Sequence, residues 1–115
     1  MGKLTTHVLD TYHGLPAKRM QIHLFHIAED ETRTLVKTLH TNDDGRIDVP
    51  VLQGEEMLVG DYELTFVVRA YFATKGVESP FLNSVPVRFT IYEADKHYHV
   101  PLLVSPWAYS TYRGS

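Results

Sequence analysis

Hydrophobic and polar residues alternate position by position along much of the chain, which is the pattern of a β-strand that buries one of its faces. The pattern begins in LTTHVLD, residues 4–10. It continues in MQIHLFHI, residues 20–27, and TRTLVKTLH, residues 32–40, with the acidic turn AEDE between them. β-Branched and aromatic residues concentrate in these segments, and helical spacing is nearly absent. The pattern predicts an antiparallel hairpin in the first third of the chain.

Turn residues mark the middle of the chain. NDDGR, residues 42–46, predicts a tight turn, because Asn and Asp tolerate the left-handed conformation and Gly45 has no Cβ to clash. RIDVPV, residues 46–51, is the expected short strand after it. YELTFVVRAYF, residues 62–72, is apolar through its middle and predicts a central strand buried on both faces, and ATKGVESP, residues 73–80, is the expected place of a helical turn.

Two further strands are predicted near the C-terminus, in VPVRFTIYE, residues 85–93, and HYHVPLLVS, residues 97–105, joined by the turn ADK. A last strand is expected from Trp107 onward. Strand number and spacing therefore predict an all-β fold, a two-sheet antiparallel β-sandwich of about seven or eight strands with one short helix.

Composition narrows the class of protein. The length of 115 residues predicts one domain over residues 1–115, and a hydrophobic content of 43% can fill one modest core. The 11 basic residues are scattered and outnumbered by 14 acidic ones, so we expect no nucleic-acid partner. The absence of cysteine excludes disulfides, thiolate metal ligands and a cysteine nucleophile.

No apolar run approaches the ~20 residues that span a bilayer, and MGKLTTHVLD lacks the apolar region of a signal peptide. We therefore expect no membrane partner. A cytoplasmic location is the default expectation, and a periplasmic one applies if a signal peptide has been removed.

Seven histidines stand out, because imidazole, with a pKa of about 6.5, suits proton transfer near neutral pH. His97 and His99 lie two apart and so share one face of a strand. His7 fits either a packed or a functional residue of an edge strand, and Arg46 leaves a tight turn where a solvated charge is the default interpretation. The remaining histidines lie in a turn, at a strand end or on opposite faces of one strand and receive no role: His13, His23, His26 and His40. The sequence has no GxSxG motif and no phosphate loop.

Three segments carry a resemblance to a known family: LTTHVLDTYHGLPA, NDDGR and HYHVPLLVSPWAYSTYRGS, in that order. Together they resemble the transthyretin-related 5-hydroxyisourate hydrolases over essentially the whole length. The terminal YRGS and the histidines distinguish this pattern from the hormone-carrying transthyretins, which are similar in LLVSP and YST. Departures are few, chiefly Tyr12, His13 and the QGEEMLVGD segment.

The resemblance implies a transthyretin-like (prealbumin-like) sandwich assembled as a homotetramer, a dimer of dimers whose active sites lie in a central channel. It implies hydrolysis of the small molecule 5-hydroxyisourate to 2-oxo-4-hydroxy-4-carboxy-5-ureidoimidazoline in urate degradation, without a cofactor. The matching catalytic positions are His7, Arg46 and His99. His7 and Arg46 also bind substrate in this interpretation, together with the tail residues Tyr112, Arg113, Gly114 and Ser115, while His97 has a supporting role.

These residue types suit such a reaction. A neutral histidine, His7 or His99, can take a proton from the attacking water, and Arg46 can stabilise the developing oxyanion. Which histidine is the base stays open. Two alternatives also stay open: a transthyretin-like carrier that binds a small ligand without chemistry, and a zinc hydrolase with His7, His97 and His99 as ligands.

Overall fold

A computed structural model describes residues 1–114, and it contains two β-sheets packed face to face. The first sheet has β1 and β8 at its centre and carries three shorter strands at its edges. These strands are β1 (Lys3–Asp10), β2 (Leu15–Pro16), β5 (Leu52–Gln53), β8 (His97–Val104) and β9 (Tyr109–Thr111). The second sheet has the strand order β4-β3-β6-β7, namely β3 (Gln21–Ile27), β4 (Arg33–His40), β6 (Gly60–Val67) and β7 (Ser84–Ile91). One helix, α1 (Val68–Thr74), and a 3-10 turn (Gly54–Glu56) complete the elements.

The core lies between the two sheets and is filled by the alternate residues of each strand, so the predicted two-sheet sandwich is confirmed. In β1 the buried positions are every second residue from Leu4 to Asp10. Apolar side chains from both sheets and from α1 meet there without solvent exposure, among them Leu4, Val8, Ile22, Leu24, Leu64, Phe66, Phe72 and Leu102. The opposite faces of the two sheets point away from this core, and one of them carries the candidate site.

The strand pairs are antiparallel with one exception: β1 and β8 run parallel. These two strands come from opposite ends of the chain, and the long connection between them passes through the second sheet. A connection of this length allows the two strands to pair in parallel, whereas a short hairpin would force them to be antiparallel. The parallel register sets Thr5 beside His99 and His7 beside Pro101, which decides what the site contains.

The prediction of one strand over residues 62–72 is wrong in its second half. Strand β6 ends at Val67, and the following residues form α1. Val68, Tyr71 and Phe72 are the buried residues of this helix, at the spacing of one helical face. The apolar run fits the two-residue period of a strand as well as the 3.6-residue period of a helix, so the sequence pattern alone assigns all of it to a strand. The expected helical turn in residues 73–80 lies earlier in the chain, where α1 ends at Thr74.

The expected strand over residues 46–51 is also wrong. This segment has one isolated bridge, between Arg46 and His7, and a backbone hydrogen bond from the Val51 N–H to the carbonyl of Leu4, before β5 begins at Leu52. Pro50 has no N–H for a strand ladder, so the segment is poorly suited to pairing. The strand expected after Trp107 is present as β9, paired with β8. Within residues 1–114, no helix has the length and apolar character needed to cross a membrane.

Candidate active site

The outer face of the first sheet carries polar side chains in register across β1 and β8. Thr5 and His7 alternate with buried residues of β1 and point away from the core, as does His99 in β8. The parallel pairing sets Thr5 beside His99 and Lys3 beside His97. His7 and His99 therefore lie on one sheet surface, where the parallel register of β1 and β8 brings them together.

The turn at residues 42–46 brings Arg46 to this surface. Gly45 has φ 74° and packs so tightly on β1 that an added Cβ would stand 2.4 Å from the carbonyl oxygen of Val8. The backbone N–H of Val8 donates to the carbonyl of Gly45 at 2.8 Å, and the next residue forms the bridge with His7. Glycine is required here both for its conformation and for the close approach. The predicted turn therefore has a functional consequence, since it fixes Arg46 beside His7.

A cleft of about 390 Å³ opens between these elements. Its polar lining comes from Arg46 of the turn, Thr5 of β1 and His99 of β8, with the exposed Lys3 and His97 also in the wall. The remaining lining residues are Thr6, Ile47 and Val49. His7 is not one of the lining residues, but its backbone is bridged to that of Arg46, which is. The cleft brings basic groups together on a surface whose volume suits a small polar molecule.

His99 is held on both sides of its ring. The Thr5 side-chain oxygen Oγ1 lies 2.8 Å from Nδ1 of the imidazole. On the other side, the backbone N–H of Gly114 donates to the carbonyl of His99 at 2.8 Å, and a Cβ at position 114 would stand 2.5 Å from Cδ2 of the ring. The predicted tail residue Gly114 therefore contacts the predicted catalytic residue His99 directly, because it has no side chain.

The electrostatics of the cleft keep both histidines neutral. Burial is the largest cause that lowers the pKa of His7, and the Arg46 guanidinium lowers it further, while contacts with Asp44 act in the opposite direction. The pKa of His99 is lowered by burial, by Arg46 and by His7, against a hydrogen bond to the backbone of Thr5 that raises it. No carboxylate among residues 1–114 forms a salt bridge with Arg46. Its positive charge therefore lowers the pKa of both histidines, and Asp44 partly offsets this effect at His7.

The other predicted tail residues lie beside a second cleft of about 350 Å³ at the open edge between the sheets. Tyr112 is 60% exposed and lines this second cleft. The Arg113 guanidinium lies 4.5 Å from the ring centre of Tyr98, and its Nη2 is 3.3 Å from the carbonyl of His97, so it does not join Arg46 in the first cleft. His99 lines both clefts. Ser115 lies outside the described residues.

The zinc alternative finds no support in the arrangement of its ligands. Across residues 1–114 there is no group of three or more His, Asp or Glu side chains placed to hold a metal ion. His97 stands exposed at the wall of the cleft, at the register position of Lys3, and its supporting role stays a prediction.

Sequence reasoning did not assign a function to Thr5, although it shares a strand face with His7. Its partner His99 is 94 residues away in the chain, so the contact depends on the parallel register of β1 and β8. The same register places Lys3 in the wall of the cleft. The only early signal was the parity of Thr5 and His7 along β1.

The fold and this surface together define a transthyretin-like β-sandwich with a candidate proton-transfer site on the outer face of one sheet. The model of the HIUase/Transthyretin family matches residues 4–114, and the chain belongs to this family. A relative from Rhizobium meliloti, "5-hydroxyisourate hydrolase 2", is 53% identical, with 99% of this chain and 97% of the relative covered.

Solved structures extend the comparison to two kinds of protein. A crystal structure of (S)-allantoin synthase has a TM-score of 0.91 and 54% identity, and it covers 99% of this chain, which spans only 44% of that longer one. Sea bream transthyretin in complex with thyroxine has a TM-score of 0.88 and 27% identity, with 97% of this chain and 94% of the other covered. The same sandwich is therefore present both in proteins named as enzymes and in a transthyretin solved in complex with thyroxine.

Proposed function

We propose that this chain hydrolyses 5-hydroxyisourate to 2-oxo-4-hydroxy-4-carboxy-5-ureidoimidazoline, a step of urate degradation, without a cofactor. The observation that carries the proposal is the placement of His7, His99 and Arg46 together on one sheet surface, where burial and Arg46 lower the pKa of both histidines. The full-length identity of 53% to a relative named 5-hydroxyisourate hydrolase supports it.

Water activation is assigned to the two histidines. A general base must be unprotonated at the working pH, and the lowered pKa values of His7 and His99 keep their rings neutral near pH 7. One imidazole takes the proton as water attacks a ring carbonyl of the substrate. The other lies close enough to lower the first one's pKa, so it can hold the substrate or move the proton onward.

Arg46 is assigned to the negative charge of the reaction. Attack on a carbonyl places charge on its oxygen, and a positioned guanidinium stabilises that charge most strongly where water is displaced. Its planar set of N–H donors also matches a flat ring with several oxygen atoms. The tight turn at Gly45 supports this role, since a group that must stabilise a transition state has to be held in place before the reaction.

We also propose that the site is completed in a homotetramer, a dimer of dimers, as the family resemblance implies. The cleft of one chain is open on the outer face of a sheet, and the tail residues Tyr112 and Arg113 line a neighbouring cleft that shares His99 with it. A second subunit covering this face would displace water from the histidines. Tyr112, Arg113, Gly114 and Ser115 then contribute to substrate binding, and deletion of these four residues is expected to abolish most of the turnover.

The test follows the decay of freshly generated 5-hydroxyisourate by spectrophotometry, with the purified chain and with buffer alone. The chain should accelerate the decay, His99→Ala should lose most of this effect, and His23→Ala, a histidine of the second sheet, should retain it. Full activity after exhaustive chelation would remove the zinc alternative. Decay no faster than in buffer, together with calorimetric binding of thyroxine, would replace the hydrolase by the carrier.

A further inference from the structure

We propose that Thr5 is a positioning residue that fixes the tautomer of His99, with the Nδ1 proton donated to Thr5 Oγ1 and Nε2 left free to accept a proton. This inference rests on the proposed function for its catalytic consequence. The tautomer itself is a property of the protein without substrate and can be measured separately. With this tautomer, Nε2 is the nitrogen of His99 that is available to a water molecule.

The contact is short and comes from the backbone register. Thr5 and His99 are direct partners in the parallel ladder of β1 and β8, and their side chains leave the same face of the sheet. The Oγ1 to Nδ1 distance is 2.8 Å, and both residues are partly buried. A β-branched threonine has a restricted χ1 in a strand, so the hydroxyl is held in place before a substrate arrives.

The direction of this hydrogen bond is assigned from the ring nitrogen that stays available. Thr5 Oγ1 occupies Nδ1, so Nε2 is the nitrogen that can meet a water molecule. A neutral ring that accepts a proton at Nε2 carries its own proton on Nδ1, and the Thr5 oxygen is the acceptor placed beside that atom. We therefore assign the proton to Nδ1. In a neutral imidazole the other nitrogen is then an acceptor.

The ring is also prevented from turning over. A 180° rotation about the Cβ–Cγ bond would exchange Nδ1 with Cδ2, placing a carbon against the hydroxyl of Thr5 and a nitrogen against Gly114. In the structure Cδ2 packs directly on Gly114. A Cβ atom added at position 114 would lie only 2.5 Å from Cδ2, so there is no room for a side chain between them. Thr5 and Gly114 thus hold the two edges of the imidazole, and Nε2 is the ring nitrogen left without a described partner.

Loss of the hydroxyl should redistribute the proton between the two nitrogens. A ring with the proton on Nε2 cannot act as a base from that atom, so only a fraction of the molecules would be competent at any time. General base catalysis contributes about 10²- to 10⁴-fold to a rate. We expect Thr5→Val to lose at least about tenfold in kcat, which is part of that contribution.

The experiment compares three variants of the full chain. Thr5→Val removes the hydroxyl at nearly constant shape, and Thr5→Ser restores it. Thr38→Val is the matched control, because Thr38 Oγ1 lies 3.0 Å from Nδ1 of His23, the same pair of atoms on the second sheet. Long-range ¹H–¹⁵N NMR of ¹⁵N-histidine protein at a pH where the rings are neutral reports the tautomer of each histidine, and steady-state kinetics with 5-hydroxyisourate report kcat.

Wild-type protein should show His99 with the proton on Nδ1. Thr5→Val should show a mixed or reversed tautomer and the loss in kcat, with KM changed much less, and Thr5→Ser should return both towards wild type. Thr38→Val should alter only His23. A proton on Nε2 of His99 in wild type, or wild-type kcat in Thr5→Val, would overturn the inference. Absence of turnover in wild type would instead overturn the proposed function and leave the tautomer measurement intact.

Discussion

Two sheet surfaces of this molecule carry buried or half-buried ionisable groups. On one surface the charged groups form salt bridges, and on the other the arginine forms none with a described residue. On the outer face of the second sheet, Glu63 is 3% exposed and receives Arg33 at 2.9 Å, Arg88 at 3.0 Å and the Thr65 hydroxyl at 2.6 Å. On the outer face of the first sheet, Arg46 stands beside His7 and His99 and has no carboxylate partner within residues 1–114.

The consequences for the pKa values follow from this pairing. Burial alone would raise the pKa of Glu63, but the hydrogen bonds from Thr65, Arg88 and Arg33 outweigh it and lower the pKa. At the candidate site burial and Arg46 act in the same direction, and both disfavour a charged histidine. A compensated charge stabilises the fold, whereas an uncompensated charge beside neutral bases is available for chemistry. Substitutions in the two surfaces should therefore separate activity from stability.

The largest effect is expected for Arg46→Ala. Removal of a group that stabilises an oxyanion costs about 10²- to 10³-fold in kcat, and the exposed guanidinium contributes little to folding. Steady-state kinetics with 5-hydroxyisourate and urea unfolding measure the two quantities. Arg19→Ala is the control, since Arg19 forms an exposed pair with Asp43 and should leave kcat unchanged. Loss of stability in Arg46→Ala that matches its loss of activity would remove the distinction between the surfaces.

Glu63→Gln should produce the converse result. In the amide one of the two acceptor oxygens becomes an NH2 group that cannot accept, and the negative charge is lost, so one guanidinium loses its partner. The variant should therefore unfold about 2 kcal/mol more easily in urea while its kcat stays at the wild-type value. Glu56→Gln is the matched control, because Glu56 pairs with Lys37 at the surface and is 44% exposed, where such a pair contributes about 0.5 kcal/mol. Equal stability of the two variants would show that burial of Glu63 does not matter.

Gly114→Ala should reduce kcat about tenfold, which corresponds to about 1.4 kcal/mol of barrier, because the new Cβ must push the ring of His99 from its place. Its unfolding free energy should change little, since Gly114 lies in the partly exposed tail beyond β9. Gly76→Ala supplies the contrast. Gly76 has φ 71° and open space around it, so that variant should lose about 1 kcal/mol of stability and keep its activity. Wild-type kcat in Gly114→Ala would mean that the tail does not position His99.

Much of this architecture could be predicted from sequence, because strand parity is a local property. The alternation in residues 4–10 separates two faces of β1, and the spacing of His97 and His99 puts both on one face of β8. The structure shows that His7 and His99 lie on the outer faces of these strands. The NDDGR turn was predicted from residue chemistry alone, and Gly45 does adopt φ 74° there. Each of these inferences involves residues within a few positions of one another.

The features that the sequence did not predict depend instead on contacts between residues far apart in the chain. The run VVRAYF fits a buried strand and a short helix equally well, and only packing of Tyr71 and Phe72 against the core decides for the helix. The contact between Thr5 and His99 depends on a parallel register between strands 94 residues apart, which no local pattern specifies. Where Arg113 lies depends likewise on the buried ring of Tyr98. Long-range register, rather than residue chemistry, was the missing information.

The most direct test of the account is an NMR titration of the histidine rings in wild type and Arg46→Ala. The lowered pKa values mean that the titration midpoints of His7 and His99 should lie below 6.5, the ordinary histidine pKa, and that turnover should fall as the pH drops through them. Both midpoints should rise in Arg46→Ala, because the repulsion from the guanidinium is lost. Midpoints at or above 6.5 in wild type, or unchanged in the variant, would contradict the claim that burial and Arg46 together lower the pKa of the two histidines.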